Sequence, residues 1–212
     1  MIFQLDEQLI FPDPYLGEED GLLAVGGDLS PQRLLLAYSH GIFPWYAFAH
    51  GQIQWWCPLK RFVIFPEEIH VSHSMRNMIN KNEHIVTINM AFEKVIKNCG
   101  DLRRDMEGAW LGDDMTAAFT ELYRRGYVCS VEVWKEGQLV GGLYGVTLGK
   151  CFFGESMFSL APSASKLALI GLCRYMQKWG GVMIDCQLET AHLKSMGGRY
   201  IDYEEYMKYV NL

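Results

Sequence analysis

The stretch CSVEVWKEGQLVGGLYGVTLGKCFFGESMF, residues 129–158, decides the fold. It holds three β-prone runs, CSVEVW, LVGGLYGVTL and CFFGESMF, parted by turn signals at Glu136-Gly137 and Leu148-Gly149-Lys150. That pattern predicts an antiparallel meander of three strands. Upstream, residues 113–125 predict a strong helix with Gly126 as its C-cap, residues 73–81 and 90–98 read as helical, and RFVIFP (61–66) reads as a strand. Downstream, a long helix from about Ser163 to Lys178 stops at Gly180-Gly181. VMIDCQ (182–187) is a further strand, and two short helices close the chain.

The first sixty residues differ in character. They are rich in Pro, Gly and aromatics, and one clean helix sits among them: Ser30 suits the N-cap, Pro31 the first turn, LLLAY the apolar stripe and Gly41 the stop. The expected organisation is therefore a small N-terminal α/β domain, residues 1–61, and an α+β domain, residues 62–212. In the second, the order of helices, meander, long helix and strand is similar to the acetyltransferase-like (GNAT-like) fold.

Composition narrows the function. Of the 212 residues, 50% are hydrophobic and 21% charged, which suits a sizeable core and not a disordered chain. No apolar run is long enough to span a bilayer, and the N-terminus MIFQLDEQLIFPDP does not read as a signal peptide. The six cysteines form no CxxC pair and five lie in apolar surroundings, as reduced core thiols do; a cytoplasmic location follows as the expectation. The formal net charge of −6 is unlike a protein that grips long stretches of nucleic acid, so any RNA would be held by a small part, chiefly an end.

Three segments carry candidate chemistry. Glu155 sits in FFGESMFS among Phe152, Phe153, Met157 and Phe158, where a carboxylate is costly unless paired; it either recognises a cation or amine, or points to solvent from an edge strand. In MIDCQ, Asp185 and Gln187 lie two apart and would share one face of a strand, with Ile184, Cys186 and Leu188 on the other. Such a pair can hold an attacking amine and orient its proton, although Gln is a poor base and the chemistry must rest on positioning; the alternative is two surface residues. Trp45 and Trp110, within aromatic clusters, could stack on a base or simply pack. His70 and His73 lack a third ligand at a telling spacing, Ser156 and Ser159 are not in GxSxG, and Gly26-Gly27-Asp28 is no phosphate loop.

Taken in order, LLAVGGDLSPQRLLLAYSHGIFPW (22–45), WWCP (55–58), FFGESMFS (152–159), SASKLA (163–168) and IDCQ (184–187) resemble the bacterial leucyl/phenylalanyl-tRNA–protein transferases, from about residue 10 to about residue 207. The resemblance implies transfer of Leu or Phe, with Met a further possibility, from the 3′ end of Leu-tRNA or Phe-tRNA to a protein or peptide with N-terminal Lys or Arg. The product enters N-end-rule degradation, and no metal or cofactor is required. It also implies catalytic roles for Asp185, Gln187 and Glu155. A pocket for the aminoacyl-adenosine would be formed by Trp45, Trp110, Leu143, Phe152, Leu169 and Leu172. Leu143 stands where the best-known members have Met, and Leu172 is smaller than the aromatic often found there. The tRNA backbone has a thin set of candidates, Arg76, Lys81, Lys94 and Lys97, with Arg103 and Arg104 beside them. A rival, an acyl-CoA N-acetyltransferase, needs a glycine-bearing pyrophosphate cradle that FSLAPSASKLA (158–168) lacks. A second rival, a non-catalytic module binding aminoacyl-tRNA ends, is disfavoured by the Asp185/Gln187 pair.

Overall fold

The structure, a computed structural model, describes residues 2–45, 51–107 and 112–212, with the backbone alone for 102–107. The chain is mixed α and β, built on two sheets and seven α-helices among the described residues.

The smaller sheet uses strands β1 (Phe3–Leu5), β2 (Leu22–Gly26), β3 (Phe43–Trp45) and β4 (Gln54–Trp56), in the order β1-β2-β4-β3. Helix α1 (Pro31–Ser39) begins as its sequence dictates: the Ser30 side chain accepts from the Arg33 N–H and Pro31 takes the first turn, where no N–H is needed. Arg33 is fully buried and donates to the Asp6 and Gln8 carbonyls and to Asp28, tying down the N-terminal strand.

The larger sheet runs β11-β5-β10-β9-β8-β7-β6. Its members are β5 (Lys60–Ile64), β6 (His84–Ile88), β7 (Val128–Lys135), β8 (Gln138–Leu148), β9 (Cys151–Ser159), β10 (Met183–Asp185) and β11 (Arg199–Asp202). The expected meander is β7-β8-β9, turning at Gly137 and Gly149, both at positive φ. Two strands of this larger sheet escaped the sequence reading. β6 extends the meander to four strands, and β11 closes the far edge against β5. Helices α2 (His73–Asn80), α3 (Phe92–Glu107), α4 (Asp113–Arg124), α5 (Ala164–Trp179), α6 (Ala191–Ser195) and α7 (Tyr203–Val210) complete the chain.

Two apolar clusters fill the two faces of this sheet. One joins α1, α3, α4 and the smaller sheet through Leu34, Tyr38, Trp55, Phe119 and Tyr144, and the other packs α5 through Leu167, Leu169, Leu172 and Met176. A fully buried carboxylate, Glu132 on β7, braces the start of α3: it accepts from the backbone N–H of Met90 and Ala91 and from the hydroxyls of Thr87 and Ser130. Four donors and a helix N-terminus let it remain buried without a cation.

Two features open a site in the larger sheet. β10 pairs with β9 in parallel over three residues only, Met183 to Asp185 against Cys151 to Phe153, whereas β9 continues to Ser159. Beyond Phe153, therefore, β9 loses its partner on that side. At the same point the β8–β9 ladder slips: Gly145 faces Gly154 and Tyr144 faces Ser156, so Glu155 is the extra residue of a β-bulge. Gly145 makes the bulge possible, since a Cβ there would lie 2.1 Å from the Phe153 carbonyl oxygen.

Candidate active site

A cavity of about 490 Å³ occupies the gap that β10 leaves beside β9. Its floor and walls are mostly apolar, from Phe43, Leu143, Phe152, Leu169, Leu172 and Ile184, and Trp45 stands among the lining residues. Size and character suit a small organic group. Glu155 and Gln187 are also in the lining.

Glu155 lies just past the last β9 residue that β10 pairs with; its side chain is half-buried and lines the cavity. Its carboxylate accepts a hydrogen bond of 2.6 Å from the Tyr38 hydroxyl of α1. Burial, and then the Glu155 carboxylate, push the Tyr38 phenol well above its ordinary pKa, so it stays a protonated donor. Glu155 is thus held in place by Tyr38, from helix α1 beside the smaller sheet.

The reading of Asp185 and Gln187 needs correction. β10 ends at Asp185, and Gln187 adopts a left-handed backbone, φ 58°, so the strand alternation fails after Asp185. Ile184, Cys186, Gln187 and Leu188 line the cavity, and Asp185 does not. Asp185 turns the other way and is almost fully buried, at 1% exposure. There its carboxylate accepts from the Tyr206 hydroxyl at 2.8 Å, from the Arg61 guanidinium at 3.3 Å and from the Gln187 backbone N–H at 2.9 Å. The link from Asp185 to Gln187 is therefore through the main chain. A left-handed non-glycine residue is costly and persists where its surroundings fix it; the Asp185 acceptor is such a fixture.

Arg61 of β5 is buried as deeply. It also donates to the Gly41 carbonyl and to Cys57 Sγ, and its guanidinium lies 4.8 Å from the Tyr206 ring centroid and 5.1 Å from that of Phe43. Burial raises the Asp185 carboxyl above its ordinary range, against the pull of Arg61, the Gln187 N–H and Tyr206. Burial also works against the Arg61 charge, but Asp185, followed by Tyr206, outweighs it and keeps the guanidinium protonated. Burial likewise pushes the Cys57 thiol up to about 11, consistent with an inert core thiol.

The profile of the leucyl/phenylalanyl-tRNA protein transferases matches residues 63–211, and that of the same transferases' N-terminal domain matches residues 27–59. The chain belongs to the leucyl/phenylalanyl-tRNA–protein transferase family. The transferase of that name from Syntrophobacter fumaroxidans is 51% identical over 207 residues, covering 97% of this chain and 88% of its own. That from Nitrosomonas europaea is 48% identical over 214 residues, covering 100% of this chain and 90% of its own. Among solved structures, L-PGS from Bacillus licheniformis covers 80% of this chain and 54% of its own, with a TM-score of 0.45 at 10% identity, a likeness too distant to bear on fold or activity.

For this transferase, five of the six residues expected in the pocket, Trp45, Leu143, Phe152, Leu169 and Leu172, line one cavity; Trp110 falls outside the described residues. Arg76 on α2, Lys81 at its end, and Lys94 and Lys97 on α3 are exposed and do not line the cavity. Lys97 is paired with Asp101 on its own helix, and Lys94 lies 5.9 Å from the Trp134 ring centroid. No group of His, Cys, Asp or Glu among the described residues is placed to hold a metal ion, and no helix there is long and apolar enough to cross a membrane. Sequence reasoning missed Tyr38, Arg61 and Tyr206. Arg61 had one visible signal, a charge heading the apolar run RFVIF (61–65); Tyr38 and Tyr206 read as ordinary stripe residues of their helices.

Proposed function

We propose that this transferase moves Leu or Phe, with Met a further donor, from the 3′ end of aminoacyl-tRNA to the N-terminal Lys or Arg of an acceptor protein in the cytoplasm, marking it for N-end-rule degradation. The observation that carries this reading is the apolar cavity with Glu155 and Gln187 in its lining. The esterified side chain fills the wall formed by Leu143, Phe152, Leu169 and Leu172, and the terminal adenosine lies against Trp45 and Trp110. Uncharged side chains of about this size are accepted, since charged ones would be desolvated unpaired. The acceptor's α-amine attacks the ester carbonyl. Gln187 holds the amine, Glu155 supplies the negative charge that an amine or a basic side chain needs, and the ribose oxygen leaves with a proton. Asp185 acts through Gln187 and is a positioning residue. The ester is already activated, so the reaction calls for placement of its two partners and for no cofactor.

On this reading residues 62–212 form an acetyltransferase-like catalytic domain, in which β9 and β10 part to admit the substrate, and residues 1–61 form a small domain that supplies Tyr38 and Trp45. Arg76, Lys81, Lys94 and Lys97 serve the tRNA backbone. The test mixes the protein with labelled Leu-tRNA, Phe-tRNA, Asp-tRNA or Lys-tRNA and with peptides that differ only in their first residue. Label from Leu and Phe should appear on peptides beginning with Lys or Arg. Efficient transfer from Asp-tRNA, or equal use of every peptide, contradicts the reading.

A further inference from the structure

On the far side of α5 from the cavity beside β9, the larger sheet carries a second hollow, and its charge has the opposite sign. A groove of about 350 Å³ runs between β6, α2 and α5. Alternate residues of one strand face, His84, Val86 and Ile88, line it over about 13 Å of β6. The walls are aliphatic: Met78 and Ile79 come from α2, Val86 and Ile88 from β6, Leu167 and Ile170 from α5. Gly171 lets the helix settle onto the strand, since a Cβ there would lie 2.6 Å from Cγ1 of Val86. Leu169 and Leu172 of the same helix line the first cavity, so α5 separates the two. β6 is an edge strand and Val86 stays 39% exposed, so the groove opens to solvent.

Two cations stand in this lining. Arg174 and Lys178 lie one turn apart on α5, near enough for both to meet one group. Both are exposed, and neither is in an ion pair or hydrogen bond among the described residues. Other exposed bases of this acid-rich chain are paired: Lys97 with Asp101, Arg125 with Glu121, Lys194 with Glu189 and Arg199 with Glu68. No Asp or Glu is among the described lining residues of the groove, and like charges at this helical spacing repel. The first cavity has Glu155 and no Lys or Arg in its lining, so it disfavours an anion.

The two features select one ligand chemistry. A bare phosphate would leave the aliphatic walls wet, and a neutral hydrocarbon would leave the cations unpaired. An anion with an aliphatic body uses both, and a guanidinium can give a carboxylate two parallel hydrogen bonds. We propose that this groove binds a medium-length aliphatic acid, its carboxylate held by Arg174 and Lys178 and its chain laid along β6 against Met78, Ile79 and Ile170.

The experiment titrates decanoate, below its micellar range, into wild type, Arg174→Gln/Lys178→Gln and Arg174→Glu/Lys178→Glu, and follows the heat of binding. The uncharged and cationic counterparts are 1-decanol and decylammonium. Wild type should bind decanoate with a Kd below about 1 mM, and about 10–100-fold more tightly than 1-decanol. The Gln pair should lose that margin. The Glu pair should lose decanoate and bind decylammonium more tightly than wild type does, by a like factor. Both side chains are exposed, so the three proteins should unfold within about 2 °C of one another. Equal affinity of wild type for decanoate and 1-decanol overturns the proposal, as does decanoate binding that survives in both double variants. Loss of transfer from Leu-tRNA in the Gln pair, with decanoate affinity unchanged, also overturns it and gives the two cations to the tRNA backbone.

Discussion

Asp185→Ala is the substitution that a catalytic role for Asp185 invites, and the structure predicts that it will damage more than catalysis. Removing the carboxylate strips Arg61, at 0% exposure, of its anionic partner and leaves it the Gly41 carbonyl and Cys57 Sγ. Tyr206 loses its acceptor and Gln187 the contact that steadies its left-handed backbone. Breaking one side of a buried pair costs about 3–5 kcal/mol. For a chain of this size each kcal/mol lowers Tm by roughly 2–4 °C, so a fall of roughly 6–20 °C is expected. Thermal unfolding followed by circular dichroism reads this directly, and transfer from Leu-tRNA should be measured well below the new midpoint. Adding Arg61→Met removes the orphaned charge. The double variant should regain much of the lost stability without regaining transfer, because Gln187 stays unanchored. A Tm for Asp185→Ala within about 2 °C of wild type would refute the energetic argument, and wild-type transfer by the folded double variant would refute the positioning role.

Other outcomes follow from the same structure. Glu132→Ala, far from the cavity lining, should lower stability by about 3 kcal/mol or more in denaturant unfolding, since Ser130, Thr87 and the Met90 and Ala91 N–H groups lose a shared acceptor; a change under about 1 kcal/mol would mean that water replaces it. Trp45→Ala should weaken donor binding more than Arg76→Ala or Lys81→Ala, and log affinity against log salt should have a shallow slope, on the order of −1 to −3; a steep slope would make the tRNA body the main handle. His192, its pKa held below the ordinary 6.5 by burial and then by Lys166, contributes stability that is complete above about pH 6.5 and is lost as pH falls through the interval down to its folded pKa. Tm should therefore fall less between pH 7 and 5 in His192→Gln than in wild type, and identical pH profiles would contradict it.

Much of the fold could be read because its signals are local. The turns at Gly137 and Gly149 need positive φ and announce themselves, and Ser30-Pro31 starts α1 by caps alone. What could not be read is tertiary. FQL, FPW and QWW are three residues each, too short for periodicity, and only pairing makes them strands. HIVTI (84–88) reads as a spacer between helices until β7 pairs with it. At the site, the gap that Glu155 lines depends on β10 returning parallel to β9 and stopping at Phe153, a contact between segments some thirty residues apart. The alternation assumed for Asp185 and Gln187 holds only while the chain stays extended, and the left-handed turn at Gln187 ends it.

The net charge of −6 bears on the two substrates in opposite ways. A negative protein repels tRNA phosphates, and if the acceptor begins with Lys or Arg, as proposed above, it draws in an N-terminus that carries two positive charges, the α-amine and that side chain. Among the residues lining the cavity Glu155 is the carboxylate, and none is Lys or Arg. On that reading long-range charge on this chain favours the acceptor, and donor affinity comes from the short-range contacts proposed for the aminoacylated end: apolar burial of the side chain and stacking of the adenine. Those contacts do not depend on salt as phosphate contacts do. Raising ionic strength should therefore weaken use of the acceptor at least as much as use of the donor, the reverse of what a protein gripping the tRNA backbone would show.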